Sequence, residues 1–151
     1  YDEFFKKCQE TGVDGIIIPD CPYEESKEVS DICYKYDVDL ISMIAPTSKE
    51  RTLEIAAQAK GFIYLVSSMG VTGMRSNIVT DIEGIVESIK TVTDTPVAVG
   101  FGINSPAQVK HFGNIADGVI VGSAIVNLIK EHGDRAHQPL FNYIQTLIKE
   151  L

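Results

Sequence analysis

Five short apolar runs alternate with helix-patterned segments along the whole chain, and this alternation restricts the folds open to it more than any other feature. Gly15 to Pro19 carries Ile16-Ile17-Ile18, and Leu40 to Ala45 is a second run. Phe62 to Val66, Val97 to Phe101 and Val119 to Val121 complete the set. Each is short, nearly continuous and bounded by turn residues, the pattern of strands buried on both faces of a parallel sheet. Between them lie amphipathic stripes that read as core-facing helices. Val29, Ile32, Cys33 and Tyr36 form one, and Ile82, Ile85, Val86 and Ile89 another. Leu140, Ile144, Leu147, Ile148 and Leu151 form a third. A first helix is expected over Asp2 to Thr11, closed by Gly12. Thr47 with Glu50, Thr80 with Glu83 and Ser105 with Gln108 have capping-box spacing, and Pro106 suits a first helical position.

No composition shift marks a boundary, so residues 1–151 read as a single α/β unit. Two architectures accommodate it. One is an open doubly wound sheet, for which five strands suffice. The other is a portion, about five strands of eight, of a parallel βα barrel, which needs about 250 residues when whole. The 151 residues, 44% hydrophobic and 23% charged, are ordinary for a globular unit with a real core. The formal net charge of -8 argues against nucleic acid or an anionic membrane surface as partner. No apolar stretch approaches the ~20 residues that span a bilayer. Cys8, Cys21 and Cys33 make no CxxC pair, and His111, His132 and His137 stand far from them, so no metal-ligand spacing is present. Free thiols fit a cytoplasmic setting.

In either architecture a ligand meets the carboxyl ends of the parallel strands. The first run delivers Asp20 there, the second Pro46 and Thr47, and the third Ser67 and Ser68. The fourth delivers Gly100-Phe101-Gly102 and the fifth Gly122-Ser123. Gly102 and Gly122 let backbone N–H groups approach a ligand, and Ser123 opens a helix whose positive end favours an anion. One such glycine is more often a plain turn; two on consecutive strands point to a phosphate. No Lys or His stands at a strand end, which disfavours Schiff-base chemistry and removes the commonest general base. Asp20 serves equally as a turn residue before Cys21-Pro22. Tyr64, mid-strand, is either a core residue or a pocket residue. Gly70 to Asn77, glycine-punctuated and polar, has the composition of an active-site loop.

These motifs together resemble one family. Leu65-Val66-Ser67-Ser68-Met69-Gly70-Val71-Thr72-Gly73, then Gly100-Phe101-Gly102-Ile103 and Gly122-Ser123-Ala124-Ile125-Val126, are similar to the α subunit of tryptophan synthase. Pro19-Asp20-Cys21-Pro22-Tyr23-Glu24-Glu25-Ser26 resembles the segment after that family's fourth barrel strand. The resemblance implies a TIM barrel without its first three strands, and reversible cleavage of indole-3-glycerol phosphate to indole and glyceraldehyde 3-phosphate. It implies Tyr64, Thr72 and Phe101 in the substrate pocket, and Gly73, Gly102, Gly122 and Ser123 at the phosphate. Asp20 and Pro22 fall near the partner interface. The family's acid–base Glu and Asp have no counterpart in this chain, so no catalytic residue is assigned. The implied assembly is an α2β2 complex in which pyridoxal phosphate belongs to the β subunit and the α chain needs no cofactor. Two further readings are another phosphosugar barrel, an isomerase or synthase, and a non-catalytic phosphate-binding assembly fragment.

Overall fold

The computed structural model describes residues 1–67 and 81–151. Chain order is α1 (Asp2–Glu10), β1 (Gly15–Ile16), α2 (Ser26–Lys35), β2 (Asp39–Leu40), β3 (Ser42–Ile44) and α3 (Lys49–Gln58). There follow β4 (Ile63–Val66), α4 (Ile82–Lys90), β5 (Val97–Gly100), α5 (Pro106–Gly113), β6 (Gly118–Ile120), α6 (Ser123–His132) and α7 (His137–Ile148). Every strand pairing is parallel. β1 pairs with β2, and β3, β4, β5 and β6 lie side by side in that order. The strands thus neighbour one another in sequence order with no reversal. An open doubly wound sheet has a reversal at its switch point, so this is the winding of a βα barrel.

The second apolar run forms two strands rather than one. Its first half pairs with β1 and its second half with β4. Between them Ile41 donates its N–H to the Ile16 carbonyl at 2.9 Å and buries its side chain. That stagger, one partner below and the other above, is what barrel curvature imposes on a strand. Gly15 and Gly61 leave room for the Ile41 side chain: a methyl on Gly61 would stand 2.9 Å from its Cδ1.

Burial also departs from the two-faced expectation. In β4 the pattern alternates, with Ile63 and Leu65 at 0% exposure and Tyr64 and Val66 half-buried. Ile44, Leu65, Val99 and Val119 lie in register across the sheet, on the face that the helices cover. Ala56 of α3, Ile82, Val86 and Ile89 of α4, Val109 of α5 and Leu147 of α7 close over that row. The opposite face carries Met43, Tyr64 and Ala98 in register and stays half-open among the described residues. An apolar residue at every position encodes burial on both faces, but the helices cover only one. A separate cluster, Phe5, Cys8, Val29, Cys33 and Val38, joins α1 and α2. All three cysteines are free.

Capping follows side-chain reach. Ser105 and Gln108 form the expected capping box, with Pro106 opening α5. At α3 the cap is Ser48, whose hydroxyl accepts from the Arg51 N–H, one residue beyond the expected Thr47. At α4 it is Asp81, which accepts from the Gly84 N–H at 2.9 Å; Thr80 lies outside the described residues. The α7 stripe is core only in part. Leu147 is buried, whereas Ile148 is 54% and Leu151 74% exposed. The apolar face of α7 is wider than the sheet surface offered to it.

β5 and β6 are pinned at their start by Asp117. Its carboxylate accepts from the Val97 N–H at 2.7 Å and pairs with Lys90 at 2.6 Å. The Lys90 bond first, then the Val97 N–H, hold this carboxyl below the ordinary range. A depressed folded pKa adds stability that is complete above the unfolded value, about 3.9, and is lost as pH falls from there toward the folded value. Asp117→Asn should therefore cost about 1 kcal/mol at pH 7, modest because the side chain is half exposed. Urea midpoints of the two proteins should converge at acid pH, and a gap that persists there would contradict the assignment.

Candidate functional site

Parallel pairing brings the ends of β4, β5 and β6 to one rim. Val66, Gly100 and Ile120 are in register, so the chain leaves the sheet there at Ser67, Phe101 and Val121. Adjacent strands lie about 5 Å apart, which makes the turns after β5 and β6 neighbours. The turns that carry Phe101-Gly102 and Gly122-Ser123 thus leave adjacent strands at the same end.

The β5 turn has an unusual backbone. Phe101 has φ of 85° and Gly102 of 74°. For glycine this is unstrained; for Phe101 it costs energy that its surroundings must hold. A Cβ on Gly102 would meet nothing within 4 Å, so the space before it is open. Phe101 itself is 55% exposed at the rim. Gly122 caps α6, likewise with open space in front of it, and among the described residues no side chain caps the N–H groups of that helix's first turn. Unsatisfied donors and the helix dipole make this end attractive to an anion.

Tyr64 sits below the rim on the half-open face. Its ring lies over Gly100 of the adjacent strand: a Cβ there would touch the Tyr64 hydroxyl and stand 2.6 Å from Cζ. Gly100 is therefore the slot that admits the Tyr64 ring, a role for which a lone glycine at a strand end gives no signal. Ser67, which the sequence places at this rim, makes a contact that the sequence does not announce. Its N–H donates to the Gly100 carbonyl at 2.8 Å and its hydroxyl to the Phe101 carbonyl at 2.7 Å.

Asp20 and Pro22 are not part of this rim. They are exposed in the turn after β1, which the Cys21 N–H closes on the Ile18 carbonyl at 3.1 Å. β1 lies at the far end of the strand order from β6. Thr72 and Gly73 lie outside the described residues. A cleft of about 650 Å³ opens elsewhere, between α2 and α3 on the helix-covered side. Arg51, which lines it, holds Glu24 in a two-point ion pair of 2.6 and 2.8 Å. The Arg51 guanidinium holds the Glu24 carboxyl down at about 2. The pair is solvent-exposed and adds little stability. Among the described residues no group of three or more His, Cys, Asp or Glu could hold a metal ion, and no helix is long and apolar enough to cross a membrane.

With this geometry in view, the chain can be set beside known proteins. Residues 1–150 match the family model described as tryptophan synthase alpha chain. The chain is 52% identical over 133 residues to the tryptophan synthase alpha chain of Lactiplantibacillus plantarum, covering 87% of this chain and 50% of that protein. It is 47% identical over 136 residues to that of Lacticaseibacillus casei, covering 90% and 51%. Among solved structures, one of the tryptophan synthase α2β2 complex from Pyrococcus furiosus aligns with TM-score 0.83 and 33% identity, covering 98% of this chain and 60% of that one. The alpha subunit from Campylobacter jejuni aligns with TM-score 0.73 and 38% identity, covering 85% and 52%. The chain spans about half the length of the curated relatives it matches.

Proposed function

The chain belongs to the tryptophan synthase alpha chain family, and from that premise we propose that it supplies the phosphate cradle of an indole-3-glycerol phosphate lyase in tryptophan biosynthesis. The observation that carries this reading is the meeting of two glycine turns, Phe101-Gly102 and Gly122-Ser123, at one end of adjacent parallel strands. Their N–H groups are donors for a dianion. Tyr64 and Phe101 form the apolar wall on which an indole ring lies, and the same reading assigns Thr72 to the substrate pocket and Gly73 to the phosphate.

Cleavage into indole and glyceraldehyde 3-phosphate needs a proton donor and acceptor within hydrogen-bond reach of the substrate. The described rim offers backbone donors, a serine hydroxyl and aromatic side chains, and no carboxylate pair. The lyase step accordingly depends on an acid–base Glu and Asp beyond these residues, and the 151-residue chain alone turns over no substrate. The chain itself needs no cofactor. Its partner is a β subunit carrying pyridoxal phosphate, as the Pyrococcus furiosus relative's α2β2 assembly suggests. The exposed Asp20–Pro22 turn is the part of this chain that faces it. A cytoplasmic setting goes with this reading.

Calorimetric titration tests the substrate class. Indole-propanol phosphate, which joins an indole to a phosphate and cannot be cleaved, should bind at least 10-fold more tightly than ribose 5-phosphate. Each indole methine buried adds apolar area worth about 25 cal/mol per Å². Equal affinities would replace the indole reading with a general phosphosugar site. No binding of either would remove the cradle.

A further inference from the structure

We infer that Ser67 is a positioning residue that aims the Gly102 backbone N–H of the β5 turn at the proposed phosphate; this rests on the reading above. The reasoning starts from peptide geometry. In an extended strand successive carbonyls point to opposite sides, toward alternate neighbours. Here the carbonyls of Gly100 and Phe101 both point to the same residue, Ser67, one accepting its N–H at 2.8 Å and the other its hydroxyl at 2.7 Å. Two successive carbonyls can face one side only if the residue between them leaves the extended region. Phe101 does so, with φ of 85°.

The consequence is on the other side of each peptide. A trans peptide unit is planar, and its N–H points away from its C=O. Tying the Gly100 carbonyl toward β4 turns the Phe101 N–H away from β4. Tying the Phe101 carbonyl the same way does so for the Gly102 N–H. β5 lies between β4 and β6, so both donors turn toward the β6 side; the Phe101 N–H there faces the carbonyl of Ile120, the partner of Gly100, and the Gly102 N–H, one residue on, is left toward Gly122 and the first turn of α6. The Gly102 N–H and the N–H groups that open α6 then share one concavity, an arrangement that suits an anion. The left-handed Phe101 is costly alone, about 1–2 kcal/mol for a residue with a Cβ, and the short Ser67 hydroxyl bond offsets that cost. Ser67 therefore maintains the strained turn and never has to touch the ligand.

The test uses the intact chain, amide NMR and inorganic phosphate as probe. Ser67→Ala should move the three-bond HN–Hα coupling of Phe101 toward its negative-φ value. It should also raise the phosphate dissociation constant about 5-fold, the equivalent of one lost hydrogen bond. Ser67→Thr, which keeps the hydroxyl, should restore both. Unchanged coupling in Ser67→Ala would overturn the inference. So would a changed coupling with unchanged phosphate affinity, or a failure of Ser67→Thr to rescue. If phosphate leaves the Gly102 and Gly122 amide shifts of the unsubstituted chain unmoved, the cradle itself fails, and with it any phosphate-directed role for Ser67. The Phe101 coupling would still report whether Ser67 holds the turn.

Discussion

Gly100→Ala should cost about 1–3 kcal/mol, the range for inserting a methyl into filled space, and should displace Tyr64 from the site wall. Gly100 has an ordinary extended backbone, so alanine itself is not strained there. The conflict is with the neighbouring strand. The new methyl would overlap the Tyr64 hydroxyl and approach its Cζ to 2.6 Å and Cε1 to 2.9 Å. β5 cannot retreat, because it is hydrogen-bonded to β4 on one side and β6 on the other. Tyr64 must yield by swinging into the half-open space on its own face. The chain has no tryptophan, so near-ultraviolet dichroism of its tyrosines is a clean readout, together with the urea midpoint. The decisive control is the pair. Against a Tyr64→Ala background, Gly100→Ala should cost little, because the group it strikes has gone. Additive losses in the double-mutant cycle would show that the overlap is not where the energy goes.

That contact also shows what could and could not be read from the sequence. The alternation of runs and stripes predicts the parallel α/β architecture, and Ser105, Pro106 and Gln108 predict the start of α5 to the residue. Those signals are local: each lies within a few positions of what it specifies. Gly102 and Gly122 were legible as open turns at strand ends for the same reason. The division of the second apolar run at Ile41 was not, because it arises from the different registers of two neighbouring strands. Ser67 acts on a carbonyl 34 residues away, and Gly100 accommodates a ring from another strand. No spacing rule along one chain reports either. Phe101 shows the same limit. A glycine advertises a positive φ, whereas a phenylalanine held there by a neighbour's hydroxyl carries no such mark. The stripe on α7 fails differently: its periodicity was read correctly, but periodicity states which face is apolar and not how much of that face finds a partner.

Leu65→Ala should be the more destabilising of two substitutions at adjacent positions, and the comparison separates fold from site. Leu65 is 0% exposed, between Ile44 and Val99 in register on either side and beneath the helix layer. Truncating a fully buried leucine removes its transfer energy and leaves a cavity that a close-packed surrounding only partly fills, about 2–5 kcal/mol. Folded domains are stable by about 5–15 kcal/mol in total, so that one change removes a large share. Tyr64 is the next residue, but alternation turns it to the half-open face, where truncation exposes little that was dry. Tyr64→Ala should cost less than half as much in urea titrations, yet weaken indole-propanol phosphate binding more than Leu65→Ala does in the fraction still folded. The two substitutions should thus rank oppositely in stability and in ligand affinity. If both assays rank them alike, the helix-covered face and the ligand-facing face of β4 are not separate surfaces, and the wall assigned to Tyr64 is lost with that distinction.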